Sequence, residues 1–210
     1  PKTIPCWMLI DTSASLTIGS APRTKYAIAL QLAGGIALAC LDRVSPVGVL
    51  AVGGREFRVD PTLSKPRIFQ WLLQLRHFRY DEPTTLGRRI QELVPTLRNR
   101  ALVIVLSDLH DADALPRIEL LAQVHDCVVL QLRDPAEDGL RGAGLVRARE
   151  PETGRRFATT GRKSWTDQAT VTARLRRAGV DHLVVPVEKP FLHRVRDFLE
   201  SRGVLSRGAR

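Results

Sequence analysis

The chain has only three cysteines in 210 residues, and that scarcity excludes a small scaffold held together by a disulfide framework. Cys6, Cys40 and Cys127 fall inside apolar segments without metal-ligand spacing. They read as reduced core residues of a cytosolic domain, and zinc finds no soft ligand set here. A long hydrophobic run is also missing. The most apolar stretch, Tyr26 to Leu41, is shorter than the ~20 residues a membrane helix needs, contains Gln31, and is flanked by Lys25 and Asp42-Arg43. It reads as a buried helix. No basic, apolar and small-residue succession of a signal peptide opens the chain, and Pro in place of Met at position 1 points to a segment excised from a longer protein. Internal repeats, linkers and low-complexity stretches are lacking. So is a Gly-x-x-x-x-Gly-Lys-Ser/Thr phosphate loop, so that any ATP hydrolysis would have to come from a partner.

The apolar fraction of 44% and charged fraction of 26% are those of a folded globular chain. Its length suits one domain spanning residues 1–210. The net charge of +10 admits nucleic acid, an anionic membrane surface or an acidic partner protein. Basic residues outnumber acidic ones along most of the chain, especially from Arg133 onward, yet no aromatic-interleaved basic stripe offers base stacking. A solvated basic surface, or one facing an acidic partner or lipid headgroups, is the stronger reading and nucleic-acid contact the weaker. The run Arg174, Arg176, Arg177 is read the same way, as a solvated helix face.

Short apolar runs alternate with longer amphipathic ones, the pattern of βαβ units. Strands are expected at Ile4 to Ile10, Val47 to Val52, Ala101 to Leu106, Asp126 to Leu132 and Asp181 to Val187. Helices are expected at Lys25 to Leu41, from Ser64-Lys65-Pro66 to Leu75, from Thr84-Thr85 through Leu97, at Ala112 to Val124, Asp167 to Ala178 and Pro190 to Ser201. Gly53-Gly54 turns into Glu56 to Val59 as an antiparallel edge, and Val146 to Phe157 forms a hairpin around Pro151-Glu152-Thr153-Gly154. Gly34-Gly35 inside the first long helix would permit close helix–sheet packing. Trp71 belongs to the core, while Trp165 is open between core and partner contact. The fold class is α/β: a doubly wound, mostly parallel central sheet with one antiparallel edge strand, helices on both faces and a small hairpin decoration.

In an open parallel sheet, ligands bind outside the carboxyl ends of the strands. The first strand ends in Asp11-Thr12-Ser13-Ala14-Ser15, a carboxylate and two hydroxyls in one tight loop. The middle strand ends in Ser107-Asp108, and Thr84 opens a helix over the same edge. Two carboxylates and three hydroxyls suit Mg²⁺, with Mn²⁺ or Ca²⁺ as alternatives, because such hard cations take oxygen ligands and Mg²⁺ needs only one or two carboxylates. A coordination position left for a carboxylate from outside would make the site a metal-bridged docking point.

Asp11-x-Ser13-x-Ser15, Thr84 followed by Leu86, and Ser107-Asp108 after an apolar strand resemble the metal-ion-dependent adhesion site of von Willebrand factor type A domains. The resemblance implies that the serines and the threonine hold the metal directly or through water, that the aspartates act through water, and that a partner's acidic side chain completes the shell. Asp11 through Lys25, Arg58-Val59-Asp60-Pro61, Arg133-Asp134-Pro135-Ala136-Glu137 and Pro151-Glu152-Thr153-Gly154 resemble one bacterial branch, the "domain of unknown function 58" family, across essentially the whole chain. That likeness implies a MoxR-type AAA+ ATPase as a partner, a role in complex assembly or maturation, and transmembrane helices upstream that would hold the domain at the inner face of the membrane. The sequence departs from relatives in having Glu82-Pro83-Thr84-Thr85-Leu86 where Gly-Gly-Thr-Asp-Leu is common, and Leu16 where Met is common. The first departure bears on the loop's flexibility, and Thr85 is the alternative ligand if the register slips.

Two other classes share part of this pattern. A haloacid-dehalogenase-like phosphotransferase also places Asp after an apolar strand, but it uses Asp-x-Asp-x-Thr and here the second acid is Ser13. His110-Asp111 is the pattern of a solvated polar turn, and no nucleophile–base pair can be assembled from it. A non-catalytic domain is the reading that remains, with a basic nucleic-acid- or membrane-binding module as its alternative.

Overall fold

The computed structural model describes residues 4–77, 79–138, 146–149, 156–159 and 167–202. In chain order the elements are β1 (Cys6–Ile10), α1 (Ala14–Thr17), α2 (Lys25–Asp42), β2 (Val47–Ala51), β3 (Arg58–Thr62), α3 (Lys65–Leu75), α4 (Leu86–Leu93), β4 (Leu102–Ser107), α5 (Ala114–Leu121), β5 (Asp126–Arg133), β6 (Val146–Arg149), β7 (Arg156–Thr159), α6 (Gln168–Arg177), β8 (Asp181–Pro186) and α7 (Leu192–Ser201). Six strands form one sheet in the order β3-β2-β1-β4-β5-β8, while β6 and β7 pair separately as an antiparallel hairpin. Only β3 runs antiparallel in the main sheet. The expected fold class is therefore the observed one. The turn 151–154 and Trp165 lie outside the described residues.

Because side chains alternate across a strand, β1 feeds two cores. Cys6, Met8 and Ile10 face one side with Ile28, Leu32 and Ile36 of α2, Ile68, Trp71 and Leu75 of α3, and Val195 and Leu199 of α7. Trp7 and Leu9 face the other with Ile90 of α4, Ile118 of α5 and Leu175 of α6. Helix α2 is long and apolar enough by composition to cross a membrane, yet nine of its residues are buried within the domain, and α3 lies over it. The Tyr26 hydroxyl donates to the Leu75 carbonyl at 2.5 Å, joining the two helices.

Three expectations need correction. The close approach at Gly34 is between helices, not helix and sheet: a Cβ there would lie 3.3 Å from Leu72, whereas one on Gly35 would meet nothing within 4 Å. The edge strand sits at Arg58–Thr62, later than Glu56 to Val59, because an irregularity in the pairing with Val47 and Val49 shifts the register; its place at the edge tolerates Pro61, which has no N–H to give a further strand. The α4 helix stops at Leu93, since Pro95 converts 94–96 into a 3₁₀ turn, although Leu97 still packs on the core. The three cysteines are free and buried, as expected.

Candidate functional site

Parallel pairing of β1 with β4, in which Ile10 faces Leu106, makes both strands end at one edge. The Asp11 amide continues the ladder by donating to the Leu106 carbonyl at 2.9 Å. Asp11 and Asp108 are thereby side by side and buried. The Ser107 hydroxyl donates to Asp11 Oδ2 at 2.6 Å, and the Ser13 amide donates to Asp11 Oδ1 at 2.9 Å. Ser13 and Ser15 hydroxyls lie 2.9 Å apart. The Ser13 side chain also hydrogen-bonds Asp11, and that of Ser15 hydrogen-bonds Asp108. Four of the five residues singled out in the sequence thus form one connected set. The loop carrying Ser15 is tighter than expected, being the first turn of α1.

Thr84 reaches this edge through its neighbours. The Glu82 carbonyl accepts from the Ala14 amide at 2.8 Å, and the Thr85 amide donates to the Val52 carbonyl at 3.1 Å. The Thr85 hydroxyl gives its proton to backbone carbonyls, Gly53 at 2.7 Å and Val52 at 3.1 Å. That tether favours Thr84 as the hydroxyl offered to a ligand.

The two carboxylates have different electrostatic surroundings. Burial, with the Asp108 charge adding to it, pushes the Asp11 carboxyl up to about 7 in spite of hydrogen bonds from Ser107 and Ser13. Burial acts on Asp108 in the same sense, but the Lys25 ammonium and His110 outweigh it and hold Asp108 below its ordinary value. Lys25 lies 2.7 Å from Asp108 Oδ2 and also pairs with Glu137. Desolvation would lower the lysine, yet these two carboxylates keep it above its usual range. Burial raises Glu137, with Lys25 offsetting part of that rise. The donor chemistry fits a small hard cation: oxygen ligands converge, and two buried carboxylates repel each other where a divalent charge would relieve them.

Several residues of this edge make contacts that the sequence did not signal. Glu82, where relatives commonly have Gly, is buried and accepts from Thr12 Oγ1 at 2.8 Å, from the Arg55 amide at 3.2 Å and from Arg55 Nε at 2.7 Å. Asp134 accepts from the Ser20 amide at 2.8 Å and the Ser20 hydroxyl at 2.6 Å, latching the loop that leads to Lys25. Asp108, His110 and Glu137 place ligand atoms within 4.8 Å of one another, around the Lys25 ammonium. The only signal for Asp134 and Glu137 was the segment Arg133 to Glu137, a resemblance without an assigned contact.

His110-Asp111 departs from the solvated turn expected of it. His110 Nδ1 lies 3.3 Å from Asp108 Oδ2, and Asp111 accepts from the Gly87 amide at 2.8 Å, tying the start of α4 to this edge. Leu109 between the carboxylate and the imidazole has φ 62°, a left-handed conformation that costs a non-glycine residue about 1–2 kcal/mol. Its amide donates to the Ser107 hydroxyl at 3.0 Å, and its side chain is buried in the second core, which holds the turn in place.

Replacing Asp134 with Ala is expected to cost about 1.5–3 kcal/mol, the net worth of hydrogen bonds to a charged group. Amide exchange at Ser20 and Ala21 should accelerate well beyond that of β4; unchanged protection there would contradict the latch.

A doubly wound sheet with an Asp-x-Ser-x-Ser loop and a second aspartate at its carboxyl edge defines a von Willebrand factor A-type domain. Residues 2–185 match the family described as "Protein of unknown function DUF58", and the chain belongs to that family. No curated protein matches it. Among solved structures it is similar to the conserved hypothetical protein BatB from Bacteroides thetaiotaomicron, at 15% identity and TM-score 0.63, covering 97% of this chain and 100% of that one. An aerotolerance-related membrane protein from Bacteroides fragilis follows at 14% identity and TM-score 0.59, with coverage of 94% and 99%. The SpRpn10 VWA domain aligns at 12% identity and TM-score 0.55, with coverage of 99% and 100%. At such identities the likeness concerns the fold.

Proposed function

We propose that this is a non-catalytic protein-interaction domain that binds a divalent cation, Mg²⁺ first and Mn²⁺ or Ca²⁺ as alternatives, and docks an acidic side chain of a partner through it. Asp11, Ser13, Ser15, Thr84 and Asp108 are the residues assigned to the metal. The observation that carries the reading is the hydrogen-bonded convergence of Asp11, Ser13, Ser15 and Asp108 at the carboxyl edge of a von Willebrand A-type sheet. A cavity of about 260 Å³, lined by Leu50, Phe57, Arg58, Arg89 and neighbours, includes none of the five. A MoxR-type AAA+ ATPase is the partner class assigned by family resemblance, with complex assembly or maturation as the process. That the similar Bacteroides fragilis protein is a membrane protein supports an upstream anchor that keeps this domain at the inner face of the membrane.

The alternative of a nucleic-acid- or anionic-membrane-binding module draws on the +10 charge. Against it, Arg55, Arg174, Arg196 and Arg202 are engaged with carboxylates of the same chain.

Titration calorimetry of Mg²⁺ and Mn²⁺ into the metal-stripped domain tests the site. Saturable binding is expected, abolished in both Asp11→Ala and Asp108→Ala variants that still fold. The same two variants, and chelation of the wild type, should release a carboxylate-bearing partner. Binding that survives both substitutions would remove the assignment.

A further inference from the structure

We propose that Lys25 is the residue that sets how tightly this edge holds its cation, acting as a built-in counter-charge that a divalent ion must work against. The inference rests on the metal-binding reading above. Lys25 is the first residue of α2, where Thr24 caps the helix by accepting from the Ala27 amide at 3.1 Å. One residue on, Tyr26 is pinned to α3, and upstream the Asp134 latch holds Ser20. The Lys25 stem is therefore fixed, and its side chain is only 3% exposed, against a fully buried Asp108 side chain.

Lys25 and an incoming cation would draw on one carboxylate. Asp108 Oδ2 already lies 2.7 Å from the ammonium and 3.3 Å from His110 Nδ1, while Oδ1 accepts from the His110 amide at 3.3 Å. Glu137 also holds the ammonium. Like charges a few ångströms apart in a desolvated setting repel strongly, so the bare divalent ion is held weakly. An ion arriving with a partner's carboxylate brings less net charge and meets less repulsion. Lys25 thus couples metal uptake to docking.

The alternative role, in which Lys25 merely orients Asp108 for the metal, predicts the opposite sign. Lys25→Met keeps the stem and removes the charge; it is expected to bind Mn²⁺ at least about tenfold more tightly than the wild type by calorimetry. Lys25→Arg should stay as weak as the wild type, and adding Asp11→Ala to Lys25→Met should abolish the gain. If Lys25→Met fails to fold, Lys25→Gln, which removes the charge and keeps amide donors for Asp108 and Glu137, carries the same expectation. Equal or weaker binding in a folded charge-removed variant overturns the proposal, even where the wild type binds metal and the functional reading stands. A gain that survives Asp11→Ala also overturns it, since the ion would then sit elsewhere. Binding confined to the charge-removed variants would support the role of Lys25 while removing metal binding from the native domain.

Discussion

Without metal, Asp11→Asn is expected to be more stable than the wild type at pH 8 and no more stable at pH 4. A carboxyl raised from 3.8 to about 7 keeps its proton in the folded state where the unfolded chain has lost it. Stability from this group is therefore full below the unfolded value and falls as the pH climbs to about 7. The shift corresponds to roughly 4 kcal/mol lost at the top of that window. Asn keeps an uncharged acceptor, Oδ1, for the Ser13 amide, and its Nδ2 donates to the Ser107 hydroxyl in place of the bond that Asp11 Oδ2 accepts. The whole-protein pH curve need not show the fall, because His182, lowered by burial to about 4, gives the opposite slope below its unfolded value. The difference between wild type and Asp11→Asn, measured by urea denaturation at pH 4 and pH 8 in chelator, isolates the effect. Saturating Mg²⁺ should reverse the order at pH 8, since only the wild type gains from the ion. Parallel curves for the two proteins would show that Asp11 is not electrostatically frustrated.

The second large effect belongs to Glu82. Removing one partner of a buried ion pair typically costs about 3–5 kcal/mol, because the other charge is left without compensation. Glu82→Ala would strand Arg55 and the Thr12 hydroxyl together, with Arg55 at 2.5 Å from the carboxylate in the native protein. Denaturation should show a loss in that range, and Mn²⁺ affinity should fall with it, because Glu82 joins the loop bearing Thr84 to the loop bearing Ser13 and Ser15. Gly53 belongs to the same knot: a Cβ there would overlap the Thr12 hydroxyl and lie 2.8 Å from Glu82 Oε2. Gly53→Ala should therefore destabilise comparably. A Glu82→Ala variant as stable as the wild type would show that the knot is dispensable.

Glu82 also explains the departure from Gly-Gly-Thr-Asp-Leu. Its carboxylate anchors the loop to Thr12 and Arg55, while Thr85 is held by the carbonyls of Val52 and Gly53.

What was legible in the sequence is what depends on neighbours along the chain. Apolar runs such as Leu102 to Leu106 mark strands buried on both faces, the period of Ile28, Leu32 and Ile36 marks a helix face, and Asp11-x-Ser13-x-Ser15 forms its own turn. The order of strands was legible at two points only, the continuous apolar run of β4 marking an interior strand and the turn at Gly53-Gly54 marking an edge. Element ends were less exact, at β3 and α4, because pairing register and a single proline decide them.

The contacts of Lys25, Glu82, Asp134 and Glu137 had no such local sign. Lys25 meets Asp108 across 83 residues and Glu137 across 112, and Glu82 meets Thr12 across 70. A lone charged residue in a sequence reads as solvated, because burial of a charge becomes tolerable only when its partner arrives from another element. Local periodicity and turn chemistry mark the strands, the helices and the ligand-rich loop of β1. Which charges would be buried around that loop, and which would neutralise which, was decided only when the tertiary fold brought the ends of β1, β4 and β5 and the start of α2 to one edge.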